Sequence, residues 1–175
     1  MEKIFYTDKS AYPDSRTAVQ HVLSKYFNLK SAAIERNEHG KPFLANGNEL
    51  PLFFSVSHTG NRLFIAFSDE NVGIDAENLS RQPDYLPILK RFPPEERKEI
   101  LSPAHFLRHW IIKESAIKWL GGSIAHDLYK LRFVENRLFY GEIEIPVRLT
   151  FHSFESYILA ICSERDFSSA EWIAF

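Results

Sequence analysis

The chain has little that would cross-link it or hold it in a bilayer. Among its 175 residues there is one cysteine, Cys162, so no internal disulfide can form. That residue lies in the apolar run Tyr157–Cys162, where a thiol is expected as a small buried side chain and not as a nucleophile. No apolar run approaches the roughly 18 residues of a membrane span, and Met1–Asp8 lacks the apolar stretch of a signal peptide. A cytoplasmic protein that makes no membrane contact is expected. Charge of one sign is also missing: 21 Lys and Arg face 23 Asp and Glu, a net charge of −2. No global field therefore points to nucleic acid, and an anionic ligand would have to be held by local basic residues. The seven glycines form neither a phosphate loop nor a dinucleotide fingerprint. No glycine-framed serine accompanies a histidine, which argues against a serine hydrolase. His21, His39, His105, His109, His126 and His152 show no metal-ligand spacing.

What the chain does have is apolar material, 45% of residues with 14% aromatic, enough for a substantial core. The strongest pattern runs from Phe106 to Gly122. Ser102 and Pro103 read as a helix start, Gly121 and Gly122 as its stop. At 100° per residue Phe106, Trp110, Ile117 and Leu120 gather on one side, with Leu107 and Ile111 widening the arc. Glu114 and Lys118 fall inside that arc, in one row with Trp110. A surface Glu–Lys pair at this spacing adds only a few tenths of a kcal/mol and needs no function. Inside an apolar arc the carboxylate is dehydrated unless something polar or metallic faces it.

Elsewhere the pattern predicts a helix from Asp14–Ser15 to about Leu29, a short strand near Ala32–Arg36, and a turn at His39–Phe43 that presents Lys41. Leu52–Val56, Leu63–Phe67 and Asn71–Glu77 read as strands of one antiparallel meander. Asn78–Lys90 is expected as a loop or short helix, and Arg91–Leu101 as a short helix with acids near its start. Strands follow at Lys130–Val134, Arg137–Tyr140, Ile145–Phe151 and Tyr157–Ser163. An offset of 94 residues lays Val22-Leu23 on Ala116-Ile117, His58 on His152, and Leu63–Phe67 on Tyr157–Ile161, which predicts a degenerate duplication.

In Gly73-Ile74-Asp75-Ala76-Glu77, alternation sends Asp75 and Glu77 to one strand face. Two carboxylates held so close repel unless protons, water or a cation relieve them, and a hard divalent ion with oxygen ligands would do so. Glu114 is the obvious third donor. An exposed strand face would explain an isolated Asp-x-Glu equally well. Ser57-His58-Thr59-Gly60 stands at a strand end, where hydroxyls, an imidazole and backbone N–H groups could grip a phosphate, although a plain hairpin would look similar. Lys41 and Lys118 supply positive charge for a polyanion.

Taken in order, Gly40-Lys41-Pro42, Phe54–Gly60, Gly73–Glu77, Arg91-Phe92 with Glu95 and Glu96, and Trp110–Gly121 resemble the signature segments of the 4′-phosphopantetheinyl transferases, in particular the pseudodimeric type acting on carrier proteins of peptide, polyketide and fatty-acid synthases. That resemblance implies an α+β fold of two pseudo-twofold lobes, each a small antiparallel sheet packed on a helix, here about 1–85 and 86–175, with coenzyme A in the cleft between them. It implies magnesium on Asp75, Glu77 and Glu114, a pyrophosphate contact at Lys118, and coenzyme A contacts at Lys41, Pro42, Ser57 and His58. Glu114 would also assist deprotonation of the attacking serine, with Lys118 as the second catalytic group. The N-terminal basic cluster that some members use on the 3′-phosphate is thin: Arg16, Lys25 and Arg36 are candidates, and Arg16 is assigned to the coenzyme. The expected partners are coenzyme A and an apo acyl or peptidyl carrier protein, met by a monomer.

The same residues allow two other readings, a magnesium-dependent phosphohydrolase and a non-catalytic binder of coenzyme A or carrier protein. A binder has no need of three carboxylates, and hydrolase families generally carry denser Asp and His clusters.

Overall fold

The computed structural model describes residues 1–45 and 51–175. The chain begins with a strand, β1 (Lys3–Asp8), and a short 3-10 turn, which lead into helix α1 (Ser15–Phe27). A ribbon of β2 (Ile34–Arg36) and β3 (Pro42–Leu44) follows, then β4 (Phe53–Thr59), β5 (Arg62–Ser68) and β6 (Val72–Asn78). Short helices α2 (Leu86–Leu89) and α3 (Pro94–Arg97) precede the long helix α4 (Pro103–Leu120), and α5 (Ile124–Asp127) follows it. The remainder is strand: β7 (Leu131–Val134), β8 (Arg137–Tyr140), β9 (Ile143–Glu144), β10 (Arg148–Phe154), β11 (Tyr157–Ser163) and β12 (Glu171–Ala174). This is the expected α+β architecture of small sheets and packed helices.

Both long helices begin and end as their termini dictate. Asp14 caps α1 by accepting a hydrogen bond from the Thr17 N–H at 2.7 Å, and Asn28 closes it in the left-handed region with φ 58°. Ser102 caps α4 through the His105 N–H at 3.2 Å, Pro103 takes the first turn, and Gly121 ends the helix with φ 71°. The apolar arc of α4 is broader than its periodicity predicts. Lys113 and Ser115 are fully buried along with Ile112 and Ala116, while Leu120 at the helix end is exposed.

The strands assemble into a four-stranded sheet ordered β12-β1-β5-β4 and a three-stranded sheet ordered β10-β11-β6, with two small ribbons beside them. The expected meander of three consecutive strands is therefore not formed. β4 pairs with β5, but β6 leaves that sheet and pairs antiparallel with β11, setting Asp75 opposite Ala160 and Glu77 opposite Ile158. The tail, which carries no readable pattern, forms β12 and runs parallel to β1. Each of the two larger sheets thus joins strands from distant parts of the chain.

The hairpins β4–β5 and β10–β11 have equal strand lengths and equal two-residue connections.

Alternation along each strand explains the layers. Leu63, Ile65 and Phe67 of β5 meet Ala18, Val19, Val22 and Leu23 of α1, whereas Phe64 and Ala66 pack with Val72, Ile74, Ala76, Leu159 and Ile161 between the sheets. The other face of β6 turns to α4. There a Cβ added to Gly73 would lie 1.9 Å from the Ser115 carbonyl oxygen and 2.5 Å from the Trp119 nitrogen, so only glycine lets strand and helix backbones approach so closely.

Beneath α4 lies a buried ionic cluster. Lys113 and Glu96, both 0% exposed, stand 2.8 Å apart. The lysine ammonium also donates to the Leu128 and Leu131 carbonyls, while Glu96 accepts from the Phe133 N–H and lies 3.2 Å from His109 Nδ1. Burial pulls the Lys113 pKa down, and Glu96 opposes that pull.

Two stability measurements test this arrangement. Gly73→Ala should lower unfolding free energy by about 1–3 kcal/mol in urea denaturation, because backbone on both sides must move. Lys113→Met should cost about 3–5 kcal/mol, since Glu96 would be left buried without its counter-ion.

Candidate active site

Gly73, Asp75 and Glu77 share the face of β6 that α4 covers, so the contact at Gly73 sets how the two carboxylates meet the helix. Asp75, Glu77, Glu114 and Lys118 line one cavity of about 380 Å³, together with Ser57, His58, Arg81 and Trp110. Acids distant in the chain do converge, and Trp110, Glu114 and Lys118 stand in that cavity as their i, i+4, i+8 row predicts.

β4 and β6 lie side by side and are bridged by serine hydroxyls: Ser55 Oγ accepts from the Ile74 N–H and Ser57 Oγ from the Ala76 N–H, each at 3.1 Å. Ser57 also donates to Asp75 Oδ1 at 2.8 Å. Its hydroxyl is thus engaged in fixing Asp75. Lys118 Nζ reaches the same oxygen at 2.7 Å and the Ile74 carbonyl at 3.0 Å. Lys118 bonds Asp75 across the strand, and not Glu114 one turn away on its own helix as the sequence spacing suggests. Glu77 accepts from Thr59 Oγ1 at 3.0 Å and from Arg81 Nη1 at 2.5 Å.

Glu114 is the acid most altered by this setting. Burial first, and the Asp75 charge second, push its pKa up to about 7, with Lys118 opposing them. Such a carboxyl can take up or release a proton near neutral pH. Among the described residues no three His, Cys, Asp or Glu side chains are already drawn together closely enough to hold a metal ion. The physical reason is at hand: Asp75 and Glu77 are each turned onto a cation of the protein itself. By donor type the residues suit a hard divalent cation, since three carboxylates border one cavity and Glu114 is destabilised by a like charge that a cation would offset.

The remaining sequence candidates lie around this cavity. His58 is exposed and borders a second cavity of about 490 Å³ that also includes Lys9, Asp14, Ser15 and Asn61. Arg16, Arg36 and Pro42 line a third, of about 320 Å³, which shares Val56 with the first and Ser15 with the second. All three border β4. Lys41 borders none of these three cavities. Its ammonium bonds Asn71 Oδ1 at 2.7 Å and the Trp119 carbonyl at 3.3 Å, and burial lowers its pKa to about 8. Asn37 donates to the Gly121 carbonyl at 2.7 Å, so the β2–β3 turn caps the C-terminal end of α4. Cys162 is fully buried in β11 and burial pushes its thiol pKa up, in keeping with a core side chain.

Sequence reading missed Arg81. Its only signal was a charge four residues after Glu77 in a segment without helical pattern, and a turn at Asn78–Arg81 brings the two together.

The three acids and Lys118 lie within the stretch that matches a known family, and the bridging serines precede it. The profile described as 4′-phosphopantetheinyl transferase superfamily matches residues 71–162, more than half of the chain. The chain belongs to that superfamily. It is 29% identical over 163 residues to 4′-phosphopantetheinyl transferase psf-1 of Bacillus pumilus, covering 84% of this chain and 68% of the relative. It is 30% identical over 149 residues to L-aminoadipate-semialdehyde dehydrogenase-phosphopantetheinyl transferase of Rattus norvegicus, and 33% identical over 149 residues to the Xenopus laevis protein of that name. These two alignments cover 74% of this chain and 48% and 49% of the relatives, so the chain spans about half their length. Among the described residues no helix is long and apolar enough to cross a membrane.

The Glu114 environment makes a pH prediction. A carboxyl raised to about 7 in the folded state binds protons more tightly there than in the unfolded chain, so it costs stability increasingly as pH rises from near 4.5 to 7. In buffer with chelator, Glu114→Gln should melt above wild type at pH 8, with the gap closing toward pH 5; a gap independent of pH would contradict the assignment.

Proposed function

We propose that this chain transfers the 4′-phosphopantetheine group of coenzyme A to a serine hydroxyl of an apo carrier protein, as a cytoplasmic monomer dependent on magnesium. The observation that carries this reading is the convergence of Asp75, Glu77, Glu114 and Lys118 on one cavity. Superfamily membership and the names of the relatives support the same chemistry.

Asp75, Glu77 and Glu114 would hold the metal, which supplies positive charge against the pyrophosphate oxygens when bound. Lys118, one quarter exposed, adds a second positive group that can turn from Asp75 toward phosphate once that carboxylate is engaged elsewhere. Glu114 in its ionised form accepts the serine proton. The serine oxygen forms its bond to the β-phosphorus as the bond to the bridging oxygen breaks, and adenosine 3′,5′-bisphosphate leaves with the electron pair. Alignment and charge do most of this work, and no protein nucleophile is required.

Val56 and His58 beside this cavity, and Arg16, Arg36 and Pro42 around the neighbouring one, would contact the rest of coenzyme A. Lys41 serves differently from a direct phosphate contact. By capping α4 it holds Lys118 and Glu114 at their height along β6.

With coenzyme A and magnesium, the purified protein should add phosphopantetheine to an apo carrier, read as a mass shift on its serine. Glu114→Gln and Asp75→Asn should each lower the rate by roughly 10²-fold or more while the circular dichroism spectrum stays unchanged. No shift across a panel of carriers, with phosphate released from a phosphoester instead, would point to the hydrolase.

A further inference from the structure

Arg81 occupies a place that the transfer chemistry leaves unexplained. Its guanidinium borders the same cavity as the three acids and lies 2.5 Å from Glu77 Oε1. Glu77 has a side chain only 7% exposed, while that of Arg81 is 54% exposed. The pair joins a carboxylate fixed on a sheet to a cation at the rim of the cavity.

The backbone under Arg81 is anchored. Its N–H donates to the Asn78 carbonyl at 3.0 Å, the Ser80 N–H to Asn78 Oδ1 at 2.8 Å, and the Leu79 N–H to the Ser156 carbonyl at 2.8 Å. This turn brings residue 81 back over residue 77. The guanidinium itself bonds only Glu77 among the described residues, whereas Lys118 has both Asp75 and the Ile74 carbonyl. Arg81 is therefore the cation that can leave without breaking other contacts. Thr59 holds Glu77 Oε2, so Oε1 is the oxygen open to exchange.

We propose that Arg81 is the resident counter-ion of Glu77, neutralising it when no divalent cation is bound and competing with that cation for the same carboxylate. The proposal rests on the reading that Asp75, Glu77 and Glu114 hold a divalent cation. A guanidinium and a divalent ion on adjacent oxygens of one group repel, so entry of the ion turns Arg81 outward. Arg81 thus weakens cation binding and spares the empty site the mutual repulsion of three acids.

The test is a titration of the purified protein with manganese, following the electron paramagnetic resonance signal of the unbound ion, and with magnesium by calorimetry. R81Q should bind either ion about fivefold more tightly than wild type, the fold-change expected from removing one partly exposed ion pair. R81K, with a looser single-point contact, should fall between them, and it serves alone should R81Q fail to fold. Without metal, R81Q should melt at or below wild type, and saturating magnesium should raise its melting temperature more. Unchanged or weaker binding by R81Q and R81K overturns the role of Arg81. If wild-type binding is then abolished by Asp75→Asn, the metal site stands and only the counter-ion role falls. If neither wild type nor the variants bind either ion, the metal reading fails and the proposal with it.

Discussion

The contact between β6 and α4 at Gly73 controls the geometry of everything else in the cavity. With no side chain there, the strand lies directly against the Ser115 carbonyl and the Trp119 nitrogen. Period two along the strand then fixes where Asp75 and Glu77 stand, and the helical turn fixes Glu114 and Lys118 relative to Ser115. A few tenths of an ångström at this contact would be passed on to all four side chains, because both elements are rigid and buried. The capping of α4 by Lys41, Asn37 and Asn71 guards the same alignment at the C-terminal end of the helix.

Charge in the cavity is balanced by the protein in three different ways. Asp75 has Lys118, Glu77 has Arg81, and Glu114, which takes neither, is raised toward neutrality. The first two are cheap to rearrange because each cation retains access to solvent. The third makes Glu114 responsive to whatever charge enters. The cluster of Glu96, Lys113 and His109 behaves in the opposite manner: it is sealed from water, so removing one partner is costly, and it holds α3, α4 and β7 together. Glu114 directly follows Lys113 in the chain, so successive residues of one helix serve the interior on one side and the cavity on the other.

The exchange of strands between the sheets links the site to the fold. β6 pairs with β11 yet touches β4 through Ser55 and Ser57, so the cavity lies where the two sheets abut. A backbone ladder at that seam would leave little room. Side-chain hydroxyls reach a little further than carbonyls and let Asp75 be held by a strand with which β6 does not pair.

Much was legible from residues alone because it depended on local rules. Asp14, Ser102, Pro103 and Gly121 placed the ends of the two long helices, alternation put Asp75 and Glu77 on one face, and the order of short motifs indicated the family. What stayed hidden depended on partners distant in the chain. Nothing in Asn71–Asn78 tells whether that strand joins β5 or β11, since apolar alternation is the same in either sheet. Lys113 reads as a surface lysine until Glu96 and two carbonyls are set around it, and Arg81 reads as loop until the turn brings it over Glu77. Local chemistry along the backbone, then, determined the elements and the donor types. Only tertiary packing decided which sheet β6 joins, which cation neutralises which acid, and that Lys118 serves Asp75, because such choices turn on distances through space between residues far apart in the chain.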